Sequence, residues 1–103
     1  MLEELEFQYR EGEIPRKDIR LIGKSTCEHF QSALALLQIH KIGYYCLFID
    51  NLSDETRKAL LTELRSRYTP DLLCPFIIFS GEEYLSGFNR DIWEARLFTP
   101  ARV

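Results

Sequence analysis

Three short apolar runs, spaced by helix-length segments, constrain this chain more than any other feature. They are Ile19-Arg20-Leu21-Ile22-Gly23, Tyr44-Tyr45-Cys46-Leu47-Phe48-Ile49-Asp50 and Cys74-Pro75-Phe76-Ile77-Ile78-Phe79-Ser80. Each is β-prone and bounded by turn-forming residues, so each reads as a strand. Between the first two, Phe30, Leu34, Leu37 and Ile42 share a helical face. Ser25 and Thr26 are N-cap candidates for that helix, and Gly43 stands where a glycine would stop it. Ser53 is set to cap a second helix with Leu60, Leu61 and Leu64 on its apolar stripe, fading near Tyr68. Two strands joined through a helix are expected to be parallel.

After the third strand, Gly81-Glu82 reads as a turn and Glu83 to Ser86 as a short antiparallel return. Gly87 ends it. Asn89 or Asp91 can then open a closing helix carrying Ile92, Trp93 and Leu97. The expected order is β-α-β-α-β-β-α, an α/β fold with a four-stranded mixed sheet. Residues 1–18 read as an N-terminal extension on a domain of residues 19–103. In the extension, Phe7 and Tyr9 alternate with polar residues and allow a short strand, while Gly12 and Pro15 break regular structure.

Composition narrows the partners. A chain of 103 residues with 46% hydrophobic and 28% charged residues is one globular domain with a core of its own. A net charge of -3 argues against non-specific nucleic-acid binding and against an anionic membrane surface. No apolar run reaches the roughly 18–20 residues of a membrane span. The acidic start, Met1 to Leu5, lacks the basic residues and apolar run of a signal peptide. A cytoplasmic location follows as the expectation. Three cysteines are an odd and modest number, so they read as separate thiols rather than a disulfide framework.

Cys27 stands out among them. It lies at a strand-to-helix junction, where unpaired backbone N–H groups and the helix dipole stabilise an anion. A thiolate is such an anion, and the setting favours a nucleophile. Lys24 adds a nearby positive charge, whereas Glu28 opposes it. Cys46 lies mid-strand and reads as a core filler. His29 follows Cys27 by two, but the pair supplies only half a tetrahedral metal shell, so a site-rim histidine is the better reading and no metal site is expected. Lys58, Arg65 and Arg67 read as a solvated basic helix end, and Trp93 as a packing anchor.

The order of elements and four landmarks resemble the glutaredoxin family of the thioredoxin fold. Lys24-Ser25-Thr26-Cys27 is similar to that family's Lys-Pro-x-Cys. Leu73-Cys74-Pro75 falls where the family has Thr-Val-Pro with a cis proline. Gly81-Glu82 matches the turn of the last hairpin. Ser86-Gly87-Phe88 with Asp91 resembles the Ser-Gly-Phe-x-x-Asp stretch of the NrdH-type redoxins, a glutaredoxin-like subgroup. The similarity spans roughly Ile19 to Leu97.

The resemblance implies a thiol–disulfide redox protein of the electron-transport type. In it, Cys27 would be the attacking thiol and Pro75 a cis proline that sets the Cys74 backbone beside it. Lys24 would face a glutathione carboxylate. Gly87, Phe88 and Asn89 would receive the other end of glutathione or of a substitute peptide. No bound cofactor is implied, glutathione being a co-substrate. The partners would be glutathione or a protein thiol or disulfide, and the state a monomer or homodimer.

The motif here is Cys27-Glu28-His29-Phe30, so Phe30 replaces the family's second cysteine. It does not match the Cys-Gly-Phe-Ser of cluster-carrying monothiol relatives either. The implied neighbour Cys74 is then open to two readings: a non-local redox partner of Cys27, or a small substitute for valine. Function at large is open in the same way. Single-cysteine exchange through Cys27 leads, a non-catalytic binding module with a decayed site is the alternative, and an iron–sulfur cluster bridged between two copies is a third.

Overall fold

The computed structural model describes residues 2–80 and 82–98. Its strands are β1 (Gln8–Arg10), β2 (Ile14–Gly23), β3 (Ile42–Phe48), β4 (Phe76–Ile78) and β5 (Tyr84–Ser86). Its α-helices are α1 (Glu28–Ile39), α2 (Asp54–Arg67) and α3 (Arg90–Phe98). The chain forms a five-stranded mixed sheet in the order β1-β3-β2-β4-β5. β2 and β3 are parallel, as a helical crossover between them requires. β4 lies antiparallel to β2, and β5 antiparallel to β4.

The sheet has five strands rather than four because β1 adds antiparallel to the outer edge of β3, Tyr9 facing Tyr45. β2 begins at Ile14, not Ile19, and Pro15 is inside it, opposite Gly43. A proline is tolerated near a strand's start, where its missing N–H removes little of the ladder. The register shifts between Pro15 and Arg20, which isolates that start from the regular part of β2. The segment before Ile19 thus supplies β1 and half of β2, and its Leu2 is buried among α2 residues.

The end of α1 also differs from expectation. The helix stops at Ile39, His40 is its C-cap, and Lys41 takes the left-handed conformation at φ 61. Gly43 is a strand residue instead. β3 needs Ile42 and Tyr44 in the core, so the reversal must be complete one residue before Ile42. The Ile49–Asp50 end of the expected strand is a single 3-10 turn. α2 follows expectation more closely, with Ser53 Oγ accepting from the Thr56 N–H. α3 is capped by Asn89, whose side-chain oxygen accepts from the Ile92 N–H at 3.1 Å. Gly81 of the expected hairpin turn lies outside the described residues, as do residues 99–103.

Strand alternation divides the core in two. Leu21, Cys46, Ile77 and Phe79 face α1 and α3, meeting Phe30, Leu37, Trp93 and Leu97. Ile22, Leu47, Phe76 and Ile78 face the opposite way, meeting Leu2, Leu60 and Leu64. Successive residues of a strand point to opposite faces, so one apolar run can serve both layers. Burial of each such side chain contributes about 1.5–3 kcal/mol, which is what holds the helices to the sheet.

Candidate active site around Cys27 and Cys74

β2 ends at Gly23 and α1 begins at Glu28, so residues 24–27 turn the chain from sheet to helix. Cys27 is the N-cap of α1, with an extended backbone (φ -82, ψ 120), and its side chain makes no capping hydrogen bond. The thiol therefore caps none of the N–H groups of the first helical turn. It is half-buried. Its Sγ donates to the Cys74 carbonyl at 3.7 Å, across 47 residues of sequence.

Phe30 anchors the turn from below. It is fully buried and meets Phe48 edge to face at 5.3 Å. Its ring lies so close under Gly23 that a Cβ there would stand 2.7 Å from it. The position three after Cys27 is thus a packing position of the core.

Asp50 holds the turn from the side. Its carboxylate accepts from the Ser25 N–H at 3.1 Å and from the Ser25 hydroxyl. These bonds, the hydroxyl first, hold its carboxyl below the usual carboxylate range. Gln31 Nε2 donates to the Ser25 carbonyl at 2.9 Å. Sequence reasoning missed both residues. The signal for Asp50 was its place at the end of an apolar run, one that turn formers share and that does not single it out.

The opposite wall is the loop before β4. The Cys74–Pro75 peptide bond is cis. Pro75 is fully buried, while Cys74 is half-buried and Leu73 exposed. The Lys24 N–H donates to Cys74 Sγ at 3.4 Å. Burial, more than any other influence, pushes the Cys74 thiol up to about 11. The Lys24 N–H acts the other way, and the neighbouring Cys27 thiol adds to the rise.

Ser86 and Gly87 tie this loop to the far hairpin. Ser86 Oγ accepts from the Leu73 N–H and donates to the Asp71 carbonyl. The Gly87 N–H donates to the Pro75 carbonyl at 2.8 Å, and the Gly87 carbonyl accepts from Trp93 Nε1 at 3.0 Å. Gly87 has φ +80, a conformation that favours glycine. Trp93 is 1% exposed and meets Phe88 edge to face at 5.1 Å. It is a packing anchor that also pins the loop.

Two grooves flank Cys74. One, of about 450 Å3, runs past His29, Leu73, Gly87, Phe88, Asn89 and Ile92. The other, of about 280 Å3, carries Lys24, Leu61, Arg65 and Leu72. Arg65, expected on a solvated helix end, thus also lines a groove that reaches Cys74. The fold gathers Lys24, Cys27, Cys74 and Pro75 at one end of the sheet, with Gly87, Phe88 and Asn89 along the first groove. Asn89 is at the same time the cap of α3.

Cys46 is elsewhere. It is 2% exposed in the centre of β3, and burial pushes its thiol up to about 11. Among the described residues, no group of three or more His, Cys, Asp or Glu could hold a metal ion. No helix of the described residues is long and apolar enough to cross a membrane.

No protein-family profile and no curated protein sequence matches this chain. Solved structures do. A glutaredoxin from Methanosarcina mazei Go1 aligns with a TM-score of 0.74 at 22% identity, over 89% of this chain and 87% of that one. Methanoredoxin from Methanosarcina acetivorans aligns at 0.73 and 25% identity, over 84% of this chain and 90% of that one. A glutaredoxin from Archaeoglobus fulgidus aligns at 0.69 and 23% identity, over 82% and 88%. This chain therefore has a glutaredoxin-like thioredoxin fold, with one strand more than the four its own sequence pattern predicts.

Proposed function

We propose that this chain is a thiol–disulfide redox protein in which Cys27 attacks the disulfide of a partner. The observation that carries the reading is the setting of its thiol. Cys27 is a half-buried N-cap with no capping bond, facing the carbonyl next to a cis proline. The start of a helix is where cysteine nucleophiles of this kind act, with the sulfur reachable from solvent. The glutaredoxin-like fold of the solved neighbours supports the same chemistry.

The substrate would be a glutathione mixed disulfide or an extended protein segment carrying a disulfide. Lys24 and Arg65 in the smaller groove suit a carboxylate. Gly87, Phe88 and Asn89, with exposed Leu73 and Ile92, suit the apolar and backbone parts of the partner in the larger groove. A reducing compartment such as the cytoplasm would keep the thiol ready.

The test is exchange by the purified, reduced protein on a glutathione mixed disulfide, alongside alkylation of each cysteine. The expected result is exchange that needs Cys27. No exchange, with Cys27 reacting no faster than free cysteine, would overturn the proposal. A second reading, a binding module without catalysis, draws on Phe30 filling the position of a second motif cysteine. It predicts that Cys27→Ser keeps full function in the cell.

A further inference from the structure

If Cys27 is the attacking thiol, a mixed disulfide on it needs a second thiol to release it. Phe30 cannot serve, and the rest of the first turn of α1 carries no sulfur. Cys46 is sealed in the sheet. Cys74 has three features that fit the task. Its carbonyl already accepts from Cys27 Sγ, so the two residues touch. Its side chain is only half-buried and borders two open grooves, so it is not sealed in the core as Cys46 is. The Lys24 N–H points at its sulfur, where a donor stabilises negative charge as it develops.

We propose that Cys74 is the resolving thiol of a non-local Cys27–Cys74 redox pair. The inference rests on the reading of Cys27 given above. In the first step Cys27 thiolate attacks a disulfide RS–SR′, forming Cys27–S–S–R and releasing R′S⁻. In the second, Cys74 loses its proton to water and attacks Cys27 Sγ. The bond from Cys27 to R breaks, and RS⁻ leaves and is protonated by water. The partner disulfide has gained two electrons and the pair has lost two as a Cys27–Cys74 disulfide. A dithiol, or two molecules of a low-molecular-weight thiol, returns them by the reverse exchange. Burial keeps the Cys74 thiol protonated, which leaves the first attack to Cys27.

The three cysteines fall on three different tryptic peptides, residues 25–41, 42–57 and 68–90, so their pairing can be read without ambiguity. The reduced full chain is mixed with substoichiometric 5,5′-dithiobis(2-nitrobenzoate). The expected result is two aromatic thiolates released per probe molecule. A non-reducing digest of the monomer band should then show peptide 25–41 linked to 68–90. Cys74→Ser should release one thiolate and retain the aromatic adduct on peptide 25–41, with a lifetime longer by about tenfold or more. Cys74→Ala serves equally if the serine variant does not fold.

A wild-type chain that releases one thiolate and keeps the adduct on Cys27 overturns the pair and leaves Cys27 as the nucleophile. A chain in which peptide 25–41 is neither modified nor linked overturns both.

Discussion

Cys46 and Cys27 carry the same side chain in opposite surroundings. Cys46 sits between Tyr45 and Leu47 in the middle of β3, and it packs with Leu21, Leu37 and Ile77. Cys27 sits where the sheet has ended and a helix is beginning, with one side open. Burial removes the water that a thiolate needs, so the Cys46 thiol is pushed up to about 11 and stays protonated. The N-cap supplies oriented N–H groups without full burial. The chemistry of a cysteine is decided by its neighbours, and this fold holds one thiol sealed in its core and another at an open helix start.

Substitution at the two positions should separate activity from stability most sharply. Cys27→Ser is expected to abolish disulfide exchange while shifting unfolding by less than about 1 kcal/mol, since the site is half open. Cys46→Ser should keep the exchange rate but cost about 1–3 kcal/mol, because a hydroxyl replaces a sulfur in an apolar layer. Parallel exchange assays and urea unfolding check this. If Cys46→Ser lost exchange while remaining folded, the contrast would collapse.

Alkaline stability distinguishes the buried thiol from the open one. A thiol raised to about 11 in the fold but near 8.5 when unfolded favours the folded state only while it is protonated. Stability is therefore full below about pH 8.5 and falls as pH rises toward 11. The Cys46 contribution to that fall should be on the order of 3 kcal/mol. Cys46→Ala, less stable at neutral pH, should show a flatter profile across this window. Equal slopes for the variant and the parent would show that the buried thiol is not what loses stability.

The smallest expected effect concerns how the open thiol is positioned. Asp50 clamps Ser25 and thereby the turn that carries Cys27. Asp50→Asn should slow exchange on the order of a few-fold, through looser placement of the thiol rather than loss of chemistry. The carboxylate is held below its usual range, so its contribution is present above about pH 4 and is lost as pH falls through the folded value. The asparagine variant should lose that part of the acid dependence. An unchanged rate, with crystallographic or amide-exchange data showing the same turn, would remove Asp50 from the site.

The elements were legible because their signals are local. Ser53 before an acidic turn and a leucine stripe reads as a capped helix from a few residues, and α2 is there. Tyr44 to Asp50 reads as a strand for the same reason, and β3 covers it as far as Phe48. The errors fall where a local signal has two answers. Gly43 is as good a helix stop as Lys41 is a poor one, yet the left-handed residue is Lys41, because β3 must start in register with β2. Pro15 looks like a break, yet it is held in β2 beside β3. The pairing of β1 with β3 needs a partner that is more than thirty residues away, and no short pattern announces it.

The candidate site divides along the same line. The position of Cys27 at a helix start follows from the run that ends at Gly23 and the helical pattern that begins at Glu28. Propensity and periodicity act over a few residues and suffice for that. Cys74 beside Cys27, Asp50 beneath Ser25, and Trp93 bonded to Gly87 are of another kind. The first joins residues 47 apart and the second residues 25 apart in the chain. They exist because the parallel crossover of β2 and β3 and the antiparallel return of β4 bring three strand ends to one end of the sheet. That convergence is a property of packing two layers on a twisted sheet, and no single stretch of the chain encodes it.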